Sequence, residues 1–178
     1  MGDETGGERV VACARESRAL AEARAYRDAL APGGALVCAV GSFDARGGLS
    51  YLLSALMRLP EVRAVCVGEG PGREHLERQL EEAQLEHRVG LIVLPSGRER
   101  WRALHASDLL VLPALEPLTL GREALAEARR WGRAVVATEV YGRDGSDAAW
   151  PERVVIARGD AVGLARAIQQ QLATQRRW

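Results

Sequence analysis

Residues 41–48, Gly-Ser-Phe-Asp-Ala-Arg-Gly-Gly, form the turn of this chain best suited to holding an anion. The turn follows an apolar run and ends in Gly47 and Gly48, where a helical pattern begins. Free backbone N–H groups and the positive end of a helix dipole meet at such a turn, which suits a phosphate; a plain flexible loop is the alternative. A second glycine turn, Gly68, Gly70 and Gly72, has the first two glycines of a dinucleotide fingerprint, but Arg73 stands where the third would be. It reads better as a tight strand-to-helix turn. The remaining candidates are three glutamates. Glu116 lies in the loop at residues 113–119, and Glu123 and Glu127 follow at i and i+4 on a helical pattern. Glu127 falls within the apolar stripe, where a carboxylate needs a partner or a ligand. The simpler reading is a pair of solvated glutamates supporting Arg130.

The elements that must position these residues follow from periodicity. Residues 108–138 read as one complete strand, loop, helix, strand unit: a buried strand at 109–112 closed by Pro113, a helix capped by Thr119 and ended by Gly132, and a second strand at 134–137. Along that helix Leu120, Ala124, Ala128 and Trp131 share one face. Such a unit closes as a right-handed parallel crossover, so the Glu116 loop sits above the carboxyl ends of the strands, where open α/β sheets bind ligands. Further strands are expected at 35–40, 63–67, 89–94 and 154–157. Helices are expected at 49–59, from Pro71 to about 84, at 98–106, and from an Asp160 cap to about 173. Six strands alternating with helices give a doubly wound, six-stranded parallel Rossmann-like α/β sheet. A lead-in helix at 15–30, with Ala19, Ala23, Tyr26 and Leu30 on one face, precedes it. The expected division is a tail and lead-in helix over 1–34 and one domain over 35–178.

Composition excludes several classes of function. The 24 basic residues balance the 24 acidic ones, so no nucleic-acid partner is expected. All the basic residues are arginine, which removes lysine Schiff-base chemistry and the P-loop lysine. His75, His87 and His105 are scattered, and Cys13, Cys38 and Cys66 are odd in number with the last two in apolar runs. No metal or cofactor is expected, and buried reduced thiols are. No apolar run reaches membrane-spanning length, and residues 1–7 are acidic and Gly-rich, unlike a targeting peptide; the expected compartment is the cytoplasm.

The order of segments carries a family likeness. VGSFDARGG at 40–48, VGEGPGREHLERQL at 67–80, HRVGLIVLPSGRERWRALHASDLLVLP at 87–113, the glutamate loop, EARRWGRAVVAT at 127–138 and RGDAVGLARAIQQQLA at 158–173 together resemble the C-terminal domain of family 4 (group 1) glycosyltransferases. The likeness spans roughly residues 35–173. It implies one half of a GT-B fold, in which two Rossmann-like domains face a cleft and the C-terminal one holds a nucleoside diphosphate sugar. It also implies metal-independent transfer with retention of anomeric configuration. By the same resemblance the turn after the first strand, carrying Gly41, Ser42, Arg46, Gly47 and Gly48, contacts the donor diphosphate. Glu116, the implied catalytic residue, lies near the sugar, with Thr119 and Leu120 beside it, and either Glu123 or Glu127 meets the ribose hydroxyls.

This chain departs from the family pattern GRxxxxKG at both charged positions. Ser42 stands at the Arg and Gly47 at the Lys, leaving Arg46 as the nearby cation. Two charge-assisted contacts of ~1.5–3 kcal/mol each are thereby lost. The spacing of the glutamates is also altered, with six residues between Glu116 and Glu123 and ten between Glu116 and Glu127. The double-glycine turn after the fifth strand is reduced to Tyr141-Gly142. Residues 1–34 are too few for a second Rossmann domain, so a separate N-terminal GT-B half or a second copy of the chain is expected to close the cleft. The function expected is that of a donor-domain half of a glycosyltransferase. A non-catalytic, degenerate module of the same fold, binding a protein or a nucleotide, is the alternative.

Overall fold

The structure is a computed structural model that describes residues 18, 20–93, 97–142 and 153–175. Helix α1 (residues 20–30) leads into strand β1 (Ala35–Val40), and a 3-10 turn (Ala45–Gly47) joins β1 to helix α2 (Leu49–Leu56). Then follow β2 (Val62–Gly68), α3 (Arg73–Glu82), β3 (Val89–Val93), α4 (Gly97–Ala106), β4 (Leu109–Leu112), α5 (Thr119–Arg130), β5 (Val135–Thr138), β6 (Arg153–Ile156) and α6 (Ala161–Gln175). All six strands are parallel, in the order β3-β2-β1-β4-β5-β6. The expected Rossmann-like sheet is therefore present. Cys13, Leu94, residues 143–147 and the start of the expected lead-in helix lie outside the described residues.

Parallel strands covered on both faces read as unbroken apolar runs, and β1, β4 and β5 are buried at every position. One face packs beneath α2, α3 and α6, with Val37, Leu52, Leu56, Leu109 and Ile168 at its centre. The other packs beneath α1, α4 and α5, with Cys38, Leu104, Leu110, Ala124 and Ala128. Cys38 and Cys66 are buried free thiols, and burial pushes the Cys66 thiol up to about 12 and raises that of Cys38 as well. Neither can supply a thiolate at neutral pH.

Several expected boundaries shift, each for a local reason. Helix α2 stops at Leu56, where the bonding tightens to i+3 spacing, Arg58 N–H donating to Ala55 O and Leu59 N–H to Leu56 O, both at 3.0 Å. Pro71 lies in the turn ahead of α3 instead of its first helical turn. The other end of α3 is closed by Gln84 at φ 56, with the Leu85 N–H donating 2.8 Å to Leu80 O and both leucines buried. Gly132 (φ 61) ends α5 as expected, by the matching bond from Arg133 N–H to Ala128 O at 2.8 Å. Trp131 leaves the apolar stripe and is 43% exposed, since the backbone has already turned out of the helix there. The expected cap of α6 forms, with Asp160 Oδ1 accepting from Gly163 N at 2.7 Å.

Helix α1 does more than lead in. Ala23 is buried against the second face, and Arg27 reaches Asp108 at the start of β4, 2.7 Å between Nη1 and Oδ2. The same Oδ2 accepts from Leu36 N at 2.9 Å, while Asp108 N–H donates to Leu36 O at 2.7 Å. One carboxylate thus ties α1, β1 and β4 together at the foot of the sheet. Replacing Asp108 by Ala is expected to lower stability by about 2 kcal/mol, and by Asn by less, because Asn keeps an acceptor for Leu36 N–H. Urea denaturation of the two variants checks the order.

His105, at the end of α4, is stacked on Trp101 at 4.2 Å and meets the edge of Trp131 at 4.8 Å, and its Nε2 is buried without a partner. Burial first and Arg133 second push its pKa down to about 4. The native state therefore holds a neutral ring where the unfolded chain, with an ordinary value of ~6.5, binds a proton. Stability contributed by this site is full above about pH 6.5 and falls as pH drops toward 4, by on the order of 2 kcal/mol. Denaturation midpoints measured between pH 7.5 and 4 should show this slope in the wild type, and His105→Gln should flatten it.

Candidate functional site

The chain order reverses between β1 and β4, so the helices that follow them, α2 and α5, leave to opposite faces and open a crevice at the strand ends. A cavity of about 560 Å³ lies there. The β1 turn supplies Gly41, Ser42, Asp44 and Arg46; the β2 turn supplies Glu69, Gly70 and Pro71; β3 ends in it at Val93; and α5 begins on it with Leu118, Thr119 and Leu120.

Backbone contacts hold these loops together. Phe43 N–H donates to Glu69 O at 2.8 Å, and Leu115 N–H to Arg46 O at 2.8 Å. Gly48 sits at φ 68 with its Cα facing the Pro113 carbonyl, and a Cβ there would lie 1.9 Å from that oxygen. At Gly47 a Cβ would come 1.8 Å from Ser42 O. The two glycines are thus buried behind the cavity and let the turn fold onto itself and onto β4. The same closeness explains the missing charge: this turn has no room for a side chain at 47.

The cation that remains is already paired. Asp44 caps the 3-10 turn, its Oδ1 accepting from Arg46 N at 2.9 Å, while its Oδ2 accepts from Arg46 Nε at 3.2 Å and Nη2 at 2.8 Å. The Arg46 side chain holds the Asp44 carboxyl below the usual carboxylate range, against the opposing effect of burial. Asp44 in turn raises Arg46, and Glu116 adds to that field.

At the α5 side the expected cap is corrected. Leu118, extended at φ −107 and ψ 141, is the N-cap and offers no side-chain bond, while Thr119 is already the first helical residue. The first-turn N–H groups consequently lack a side-chain acceptor beside the cavity. Gly121 in that turn is buried against Tyr141, whose hydroxyl would lie 2.0 Å from a Cβ at this position. The Tyr141 hydroxyl is buried, and burial raises its pKa against the opposing effect of the Leu118 backbone.

Of the residues singled out from sequence, Gly41, Ser42, Arg46, Thr119 and Leu120 come together on the cavity. Glu116 is exposed, follows Leu115 and is not among the lining residues. Glu123 and Glu127 are turned to Arg100 of α4, at 3.0 and 3.5 Å. Arg100 gives Glu127 a counter-charge on the apolar stripe, while Glu127 Oε2 is buried without a hydrogen-bond partner. Asp44, Glu69, Gly70, Pro71, Val93 and Leu118 escaped the reading of the sequence. The glycines of the β2 turn were the available signal, but they mark a tight turn as readily as a ligand wall. Among the described residues no three His, Cys, Asp or Glu are grouped to hold a metal ion, and no helix is long and apolar enough to cross a membrane.

Comparison with known proteins gives this site a family. Residues 34–174 match the family described as glycosyl transferases group 1. The chain is 31% identical over 152 residues to the lipopolysaccharide core biosynthesis glycosyltransferase LpsE of Rhizobium meliloti, a match covering 78% of this chain and 39% of LpsE. Among solved structures it is similar to sucrose-phosphate synthase of Thermosynechococcus elongatus, with TM-score 0.68 and 27% identity over 86% of this chain and 39% of that one. It shares its fold with Anabaena HepE, a structure containing UDP and glucose, with TM-score 0.72 and 21% identity over 85% and 42% of the two chains. This chain thus spans about two fifths of the length of these relatives. It belongs to the group 1 glycosyltransferases, as a Rossmann-like domain of the C-terminal GT-B type.

Proposed function

We propose that the cavity between the β1 turn and the start of α5 binds a nucleoside diphosphate sugar, and that the chain is the donor half of a retaining, metal-independent glycosyltransferase. The observation that carries this reading is the convergence of the glycine turn and the uncapped first turn of α5 on one cavity at the topological switch point. In transfer, the bond between the anomeric carbon and the diphosphate oxygen breaks and the electron pair stays on the diphosphate. The α5 N–H groups and Arg46 are the groups available to stabilise that charge. Glu116, on the loop after β4, is proposed to act beside the sugar. The UDP and glucose in HepE and the glycosyltransferase activity named for LpsE support the ligand class.

The acceptor side of the cleft is proposed to come from a second half, whether an N-terminal GT-B domain or another copy of the chain. Positioning by such a cleft can account for ~7–11 kcal/mol of a barrier. A second reading, a degenerate module that binds without transferring, is favoured by one observation: Arg46, the single cavity arginine among the described residues, is already held by Asp44.

The test is release of free nucleoside diphosphate from a panel of sugar donors, with binding of UDP, GDP and ADP followed by calorimetry. Dissociation constants in roughly the high-micromolar to millimolar range, about −4 to −6 kcal/mol, are expected. Turnover should depend on added N-terminal half, the chain alone giving at most slow hydrolysis. Binding without turnover in the presence of that half would favour the binding module.

A further inference from the structure

The charges around the donor cavity bear on how substrate and product are told apart, an inference that rests on the donor-binding reading above. Among the described residues Arg46 is the one basic residue on the cavity lining, and Asp44 and Glu69 stand on the same lining. Arg46 is held by Asp44 through both Nε and Nη2, and the carboxylate is the more enclosed partner, 18% exposed against 57%. Glu116 acts on Arg46 in the same sense as Asp44. Nor can the turn gain a cation at 47, where any Cβ would meet the Ser42 carbonyl. The described lining therefore carries one cation against two acidic residues.

The ligands of the proposed reaction differ in charge. In a nucleotide sugar each phosphate has one ester bond and the shared anhydride bond, leaving one negative charge each. When the glycosyl bond breaks, the terminal phosphate loses its ester, keeps only the anhydride link and ionises a second time with a pKa of ~6. The product thus brings about one more negative charge than the substrate at neutral pH. A site with surplus arginine or lysine would hold that charge more tightly, whereas the described lining offers no such surplus.

We propose that Asp44, through its pair with Arg46, makes the cavity select by charge, disfavouring the free nucleoside diphosphate relative to the diphosphate esterified at its far end. Release of the nucleotide, a step that limits many transferases, is thereby assisted by the same residue that shapes the turn.

The terminal methyl esters of UDP, GDP and ADP isolate the effect, because they lack the second ionisation and also lack a sugar. Calorimetric titration at pH 7.5 should find each ester that binds doing so roughly three- to tenfold more tightly than its free diphosphate. Asp44→Asn keeps an acceptor for Arg46 N–H and removes the charge, and should bring the ratio close to one. Glu69→Gln, at an exposed position whose backbone bond to Phe43 is kept, should lower the ratio in the same direction and serves if the first variant fails to fold. His75 lines the hollow adjoining Ser42, Asp44 and Pro71. Free diphosphates binding as tightly as their esters, or a ratio unmoved by both variants, would overturn charge selection while leaving donor binding intact. Absence of binding by all six compounds would overturn the donor-binding reading and this inference with it.

Discussion

The approach of the β1 turn to the end of β4, backbone against backbone, is the constraint on which the rest of this structure depends. Gly48 can face the Pro113 carbonyl only because it lacks a Cβ and accepts φ 68. That contact brings the Arg46 carbonyl to Leu115 N–H and sets the start of α2 beside the loop that leads to α5. Thr138 Oγ1 secures the same loop from the next strand by donating to Ala114 O at 2.6 Å. The cavity is the space left above these bonds, so its shape is fixed by main chain more than by side chains.

Tight packing of the turn has an electrostatic consequence. A turn folded onto its own Ser42 carbonyl cannot present a lysine at 47, and its one arginine is engaged by the aspartate that caps it. Under the proposed donor-binding reading, anion binding then falls on N–H groups and helix dipoles, which act at short range and carry only partial charge. The surrounding fold is built for rigidity at this point. Buried strands run beneath it on both faces, and Asp108 fastens the opposite end of the sheet.

Much of the fold was legible in the sequence because buried parallel strands leave unbroken apolar runs and the helices between them keep their period. Its turns were legible where glycine or proline had one meaning, as at Pro113 and Gly132. The cap of α5 was misread because Thr119 is a good capping type, while the deciding quantity, the extended backbone of Leu118, has no residue signature. Glu127 stands out in the sequence because it breaks an apolar stripe. Its partner Arg100 lies on α4, twenty-seven residues earlier in the chain, and no local pattern could pair them. The Asp44–Arg46 pair spans only two residues, yet type alone could not say whether Arg46 faces a ligand or its own turn.

The central claim is that a sugar nucleotide binds at the switch point between β1 and β4. Amide hydrogen exchange with and without a saturating panel of nucleotide sugars tests it most directly. Slowed exchange confined to residues 41–48, 69–71 and 118–121 is the result this account predicts. Protection centred on the foot of the sheet around Arg27 and Asp108, or none at the β1 turn with ligand bound, would contradict it.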